Sequence, residues 1–264
     1  VEIPWNPLFG ARAGVCGRGN RSLGEPDHLL RRAPALQQRR LDPEPGKTPH
    51  KGHTPPFETL KTFEGRVETA AKWKDLLGLE RADGAWKNGL PRMIFVSDMG
   101  DAFSSREYFE FLERDTLPAI RSAHGQRHLW LWVTKRPWIM RDFCAENGPF
   151  PENVCALTTV TGRNSLNRLR QLREVPARVR GLSVEPLWEV LPVESLDLNG
   201  IDWGILRGES ASKRAHCKPF DVRWLEELRD LCRSQGGTFF AKQLGTNPVR
   251  DGVPLVLKSS HGGD

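Results

Sequence analysis

The chain has 264 residues, 38% of them hydrophobic, with a net charge of +6, which suits one large α/β domain. No apolar run reaches the roughly 18 residues that span a membrane, and the opening VEIPWNPLFG lacks the basic-then-apolar layout of a signal peptide, so the cytoplasm is the expected compartment. The five cysteines, at 16, 144, 155, 217 and 232, form no CxxC pair and no disulfide framework.

In chain order, residues 1–10 suit a short strand followed by a turn, with residues 1–16 forming an N-terminal region. Residues 17–56 are rich in Arg, Pro, Gly and His and read as a disordered basic insert that holds much of the positive charge. Order returns at Phe57, where FETLKTF reads as a strand. GRVETAAKWKDLLGL follows as a helix, with Val67, Ala70, Ala71 and Leu77 toward a sheet.

Six apolar runs then follow, each ending in polar or charged residues: MIFVSDMGD (93–101), HLWLWVTKR (128–136), NVCALTTVTG (153–162), VRGLSVEP (179–186), DWGILRGES (202–210) and TFFAKQLG (238–245). Helical spacing separates most of them. Ser104 or Ser105 caps the first intervening helix, and Pro118 bends or ends it. Pro137 opens the next, Asn164 caps a third, and Pro219 starts the last, which Gly236–Gly237 stops. The main domain is 57–246, with a flexible tail at 247–264.

This alternation predicts parallel strands joined by helices. The leading fold is a (β/α) barrel, closed or partial, and an open doubly wound sheet is second. In either, function gathers at the carboxyl ends of the strands. Glu185 and Glu209 each end a strand, where two carboxylates can serve as general acid and base or can pair with nearby cations. Asp98 and Asp101 flank Gly100, where they bind a ligand or form an Asx turn. Lys135 and Arg136 precede Pro137, where they can hold a carboxylate or phosphate or pair with a strand-end acid. Gly208-Glu209-Ser210 resembles a phosphate- or adenosyl-binding turn. No P-loop, GxGxxG or HExxH motif occurs.

Trp5-Asn6-Pro7-x-x-Gly10, FVSDMGDAF, LWVTKRP, LSVEPL, DWGILRGES and FFAKQLG, in this order, resemble the phage-type Gp-thirty-seven/Gp-sixty-eight family. That family is a domain of unknown function similar to radical S-adenosylmethionine barrels, including the spore photoproduct lyase group. The resemblance covers about residues 2–10 and 57–246. It implies a radical-SAM-like barrel with S-adenosylmethionine and a [4Fe–4S] cluster as cofactors, and a substrate that includes nucleic acid among the candidates. It also implies a mouth lined by Asp98, Asp101, Lys135, Arg136, Ser183, Glu185, Gly208, Glu209, Ser210, Lys242 and Gln243. Glu185 and Glu209 would hold the ribose or the methionine amine, and Lys135 and Lys242 a carboxylate or phosphate.

The family's Trp-Asn-Pro stretch leads into three cysteines that hold the cluster. Here Ala11 follows Gly10 and only Cys16 lies nearby, so one thiolate is left where three are needed. The loss coincides with the anomalous segment 17–56, which fits either a drifted loop or a shifted reading frame. A cluster-free hydrolase using Glu185 and Glu209, and a non-catalytic nucleic-acid-binding barrel, are the alternatives from other classes.

Overall fold

The computed structural model describes residues 11–13, 62–80, 88–97 and 100–256, the first group by its backbone only. Seven strands form one sheet: β1 (Ala11–Ala13), β2 (Arg92–Val96), β3 (His128–Thr134), β4 (Val154–Thr159), β5 (Val179–Val184), β6 (Trp203–Arg207) and β8 (Thr238–Gln243). Every neighbouring pair is parallel, and the spatial order follows the chain order, interrupted only by the short β7 (Phe220–Asp221).

Strand order that never reverses, joined by right-handed crossovers, sends all helices to the same side of a sheet. The packing agrees. One core cluster joins alternate strand residues (Ile94, Val96, Trp130, Trp132, Val154, Ala156, Leu182, Val184, Leu206) to helix residues such as Val67, Phe109, Met140, Leu169 and Leu228. The other contains strand residues alone: Leu131, Cys155, Leu157, Trp203, Ile205 and Phe240, with Phe95, Val133 and Val179 against them. The second cluster lines the inside of a sheet that curls into a half-barrel. A doubly wound sheet would carry helices on both faces, so that alternative is set aside. Among the described residues β1 and β8 do not pair, and the described strands make a half-barrel.

The helices depart from the sequence reading where local chemistry intervenes. Arg66–Ala71 is helical and buries Val67, Ala70 and Ala71. It stops there, and Leu77, expected on the sheet, is 60% exposed in a turn where its N–H donates to Asp75. Ser105, not Ser104, caps the next helical stretch by accepting from Glu107 N–H. That stretch passes through Pro118 instead of ending there. A π-helical segment, Leu112–Thr116, precedes Leu117–Arg121, and its wider turn accommodates the N–H that proline lacks.

Pro137 does open the helix Pro137–Asn147. Asn164 is not a cap: it lies inside a 3-10 turn, and the neighbouring Ser165 hydroxyl accepts from Thr161 and Gly162 N–H before the helix Asn167–Arg173. The last helix is Val222–Ser234, and Asp221 rather than Pro219 begins it, accepting from Arg223 N–H.

Phe220–Asp221 instead belong to a second, three-stranded sheet with β9 (Pro248–Arg250) and β10 (Val253–Pro254). Residues 248–254, read as part of a flexible tail, are therefore built into the fold. Of FETLKTF, Thr62 and Phe63 are not strand, and 57–61 lie outside the described residues, as do the strand expected at 1–10 and the segment 17–56. No helix among the described residues is long and apolar enough to cross a membrane.

Candidate functional site at the carboxyl ends of the strands

Inside the half-barrel the floor is apolar and the strand ends are polar, because the period-two alternation that buries Leu131, Leu157, Ile205 and Phe240 brings Thr159, Ser183 and Arg207 to the same face. The polar residues fall into three groups with different neighbours.

The first group ties the loops after β2 and β3. The Asp101 carboxylate is buried and accepts from four groups of the chain itself. Phe103 N–H donates to Oδ1 at 2.9 Å, forming the Asx turn. Thr134 Oγ1 (2.9 Å), Lys135 N–H (3.2 Å) and Arg136 Nη1 (3.5 Å) all converge on Oδ2. Thr134 Oγ1 accepts in turn from Arg136 N–H at 2.9 Å, and Thr158 Oγ1 donates to the Thr134 carbonyl at 2.8 Å. Asp101 thus fixes where Lys135 and Arg136 leave the sheet. Asp98 lies outside the described residues.

The second group spans β5, β6 and β8. Ser183 Oγ donates to Glu185 Oε1 at 3.3 Å, and Lys242 Nζ donates to Glu185 Oε2 at 2.8 Å. Glu185 therefore has the cationic neighbour that was one of its two sequence readings. Beside this pair, a β-bulge interrupts the β6–β8 ladder: Leu206 opposes Ala241, but Arg207 opposes Gln243, leaving Lys242 as the extra residue. A bulge turns two successive side chains toward one side, which simple alternation forbids. Lys242 reaches Glu185, while the end of the Gln243 amide nearest Arg207 is assigned as its oxygen, because only that orientation meets donors: Arg207 Nε at 2.6 Å, Nη2 at 3.3 Å and Ser210 Oγ at 2.5 Å.

The third group lies on the loop after β6. Glu209 Oε2 accepts from Lys218 N–H at 3.0 Å, and Lys218 Nζ stands 5.2 Å from the centre of the Trp188 ring. Glu185 and Glu209 thus keep separate partners. Gly208 donates its N–H to the Gln243 carbonyl at 3.0 Å, and a Cβ there would come within 2.3 Å of the Leu244 carbonyl oxygen. The glycine is explained by this close approach of two backbones. Trp188 and Lys218 were not among the residues singled out from the sequence; a loop tryptophan beyond a strand-end glutamate was the available signal.

The described cysteines, Cys144, Cys155, Cys217 and Cys232, are buried and unpaired, and burial pushes the thiols of Cys144, Cys155 and Cys232 up to about 12. No group of three metal-ligating side chains occurs among the described residues. Cys16 lies outside them.

A family model described as a protein of unknown function, DUF5131, matches residues 33–260. The chain belongs to the DUF5131 family. The match begins inside the segment read as an insert and leaves out Trp5-Asn6-Pro7. Comparison with curated proteins and with solved structures found no match. Nothing found links the DUF5131 family to the phage-type family or to radical-SAM barrels.

Proposed function

We propose that the mouth of this half-barrel binds S-adenosylmethionine as a small-molecule ligand, without the iron–sulfur chemistry of the barrels the sequence resembles. The observation that carries the reading is the Glu185–Lys242 pair, standing over an apolar floor at the carboxyl ends of a singly wound parallel sheet. An amino-acid moiety offers both charges at once: its ammonium suits Glu185 and its carboxylate suits Lys242, while Trp203 and Phe240 belong to the apolar floor beneath. When bound, the ligand supplies an activated sulfonium.

A [4Fe–4S] cluster does not fit the residues present. The described cysteines are buried and belong to no group of three metal-ligating side chains, burial raises the thiols of Cys144, Cys155 and Cys232 to about 12, and Cys16 supplies a single sulfur. The paired-carboxylate hydrolase draws less support, because the Glu209 carboxylate is turned onto Lys218 N–H. A nucleic-acid-binding barrel rests on the net charge of +6, much of which lies between Arg18 and Lys51.

Calorimetric titration of the full chain with S-adenosylmethionine tests the reading. Saturable binding that Glu185→Gln weakens about tenfold or more is the expected result. No binding, or binding indifferent to Glu185→Gln and Lys242→Met, overturns it. Anaerobic reconstitution with iron and sulfide should give no cluster absorbance; a cluster signal would overturn the cluster-free part.

A further inference from the structure

Arg207 ends β6 between the strands that carry Glu185 and Lys242, and it is half-buried. Its neighbours neutralise each other, but Arg207 pairs with no carboxylate among the described residues. What holds it is a neutral group. With the Gln243 amide assigned in the orientation that turns its oxygen to the guanidinium, that oxygen accepts from Nε and Nη2 and also from Ser210 Oγ. An amide oxygen can set the plane of a guanidinium without cancelling its charge, and it leaves Nη1 open to a further acceptor. The bulge at Lys242 serves this arrangement, since regular alternation would not direct Lys242 and Gln243 to one side.

We propose that Arg207, oriented by Gln243, is an anion-binding residue of the mouth and takes a carboxylate or phosphate group of a second ligand, so that the substrate is an anionic molecule. The inference rests on the mouth being a ligand site, as proposed above, but not on S-adenosylmethionine being what binds there. A planar guanidinium offers two parallel N–H donors to an oxyanion, and partial burial strengthens that interaction relative to a solvated lysine.

The test is a thermal-shift and calorimetric titration of the full chain with inorganic phosphate and, separately, with succinate, at ionic strength held constant with chloride. Saturable binding of at least one is expected; phosphate alone points to a phosphorylated substrate, and succinate alone to a carboxylate. Arg207→Gln should weaken that binding about tenfold or more. Gln243→Glu is the sharper variant, because it keeps the side-chain shape yet gives Arg207 a permanent counter-ion. It should abolish anion binding while the melting temperature holds or rises. Absence of saturable binding by either anion, or binding unchanged in Gln243→Glu, overturns the proposal. S-adenosylmethionine titrated in parallel separates the two readings: its failure with anion binding intact removes only the earlier one.

Discussion

Lys242, the extra residue of the β8 bulge, reaches across β6 to place its ammonium 2.8 Å from the Glu185 carboxylate at the end of β5. The Glu185 side chain is 13% exposed and that of Lys242 is 34% exposed, so the pair is neither a solvated surface contact nor a sealed interior one. Removing one partner leaves the other half-buried without its counter-charge. Glu185→Gln and Lys242→Met should each cost about 1–2 kcal/mol, and the double variant less than their sum. Urea denaturation of the four species gives the coupling directly; additive losses would show that the two charges do not interact.

Asp101 is the structural centre of the β2–β3 corner. Its carboxylate accepts from Phe103, Thr134, Lys135 and Arg136, so Asp101→Ala strands several buried donors at once. A loss of about 2–4 kcal/mol is expected, against about 1 kcal/mol for Thr134→Val, which removes a single hydroxyl from the same network. Equilibrium unfolding checks both values. An Asp101→Ala protein as stable as the parent would mean that the corner is held by something else.

Gly208→Ala separates a packing glycine from a ligand-binding one. The added methyl would meet the Leu244 carbonyl oxygen at 2.3 Å, and that atom belongs to backbone that cannot step aside. The expected cost is about 1–3 kcal/mol, visible as a lower melting temperature with no ligand present. Unchanged stability with loss of ligand binding would favour the phosphate-turn reading instead.

His128 sits buried at the amino end of β3, far along the strand from the mouth, with Nε2 3.0 Å from the Ala71 carbonyl. Burial pushes its pKa below the ordinary value of 6.5, opposed by the hydrogen bond to Ala71. The unfolded chain therefore binds a proton more readily than the folded one. The stability this residue contributes is fully present above pH 6.5 and is lost as the pH falls through the depressed folded value. Denaturant midpoints measured from about pH 7.5 to about pH 5 should fall, and the fall should be smaller in His128→Gln. A slope identical in the variant would assign it to other groups.

The strands were the legible part of this chain, because a parallel strand covered on both faces must be written as an unbroken apolar run, as LWLWV and VCAL are. Their order was also legible, since successive β/α units lie side by side. Details that depend on competing partners were not. Nothing in the local pattern tells whether Asn164 or Ser165 supplies the capping oxygen, nor that a π turn will carry a helix past Pro118. Leu77 fitted the helical spacing, but the helix had already ended at Ala71. At the mouth, strand-end position identified Ser183, Glu185, Lys242 and Gln243 as neighbours. It did not say that Glu209 would turn to Lys218, because that choice is made by a loop contact nine residues away in sequence. The bulge was invisible for the same kind of reason: an inserted residue changes register without changing composition.

The close approach of Gly208 to Leu244 and Gly245 fixes a dimension of the mouth. A Cβ at Gly245 would meet the Glu209 carbonyl oxygen at 2.4 Å, so the loops after β6 and β8 touch main chain to main chain. The spacing between Arg207 and Lys242 is therefore set by peptide groups, which no side-chain exchange can widen or narrow. With both glycines kept, the charged side chains around them can be exchanged one at a time while the separation of the two loops stays the same.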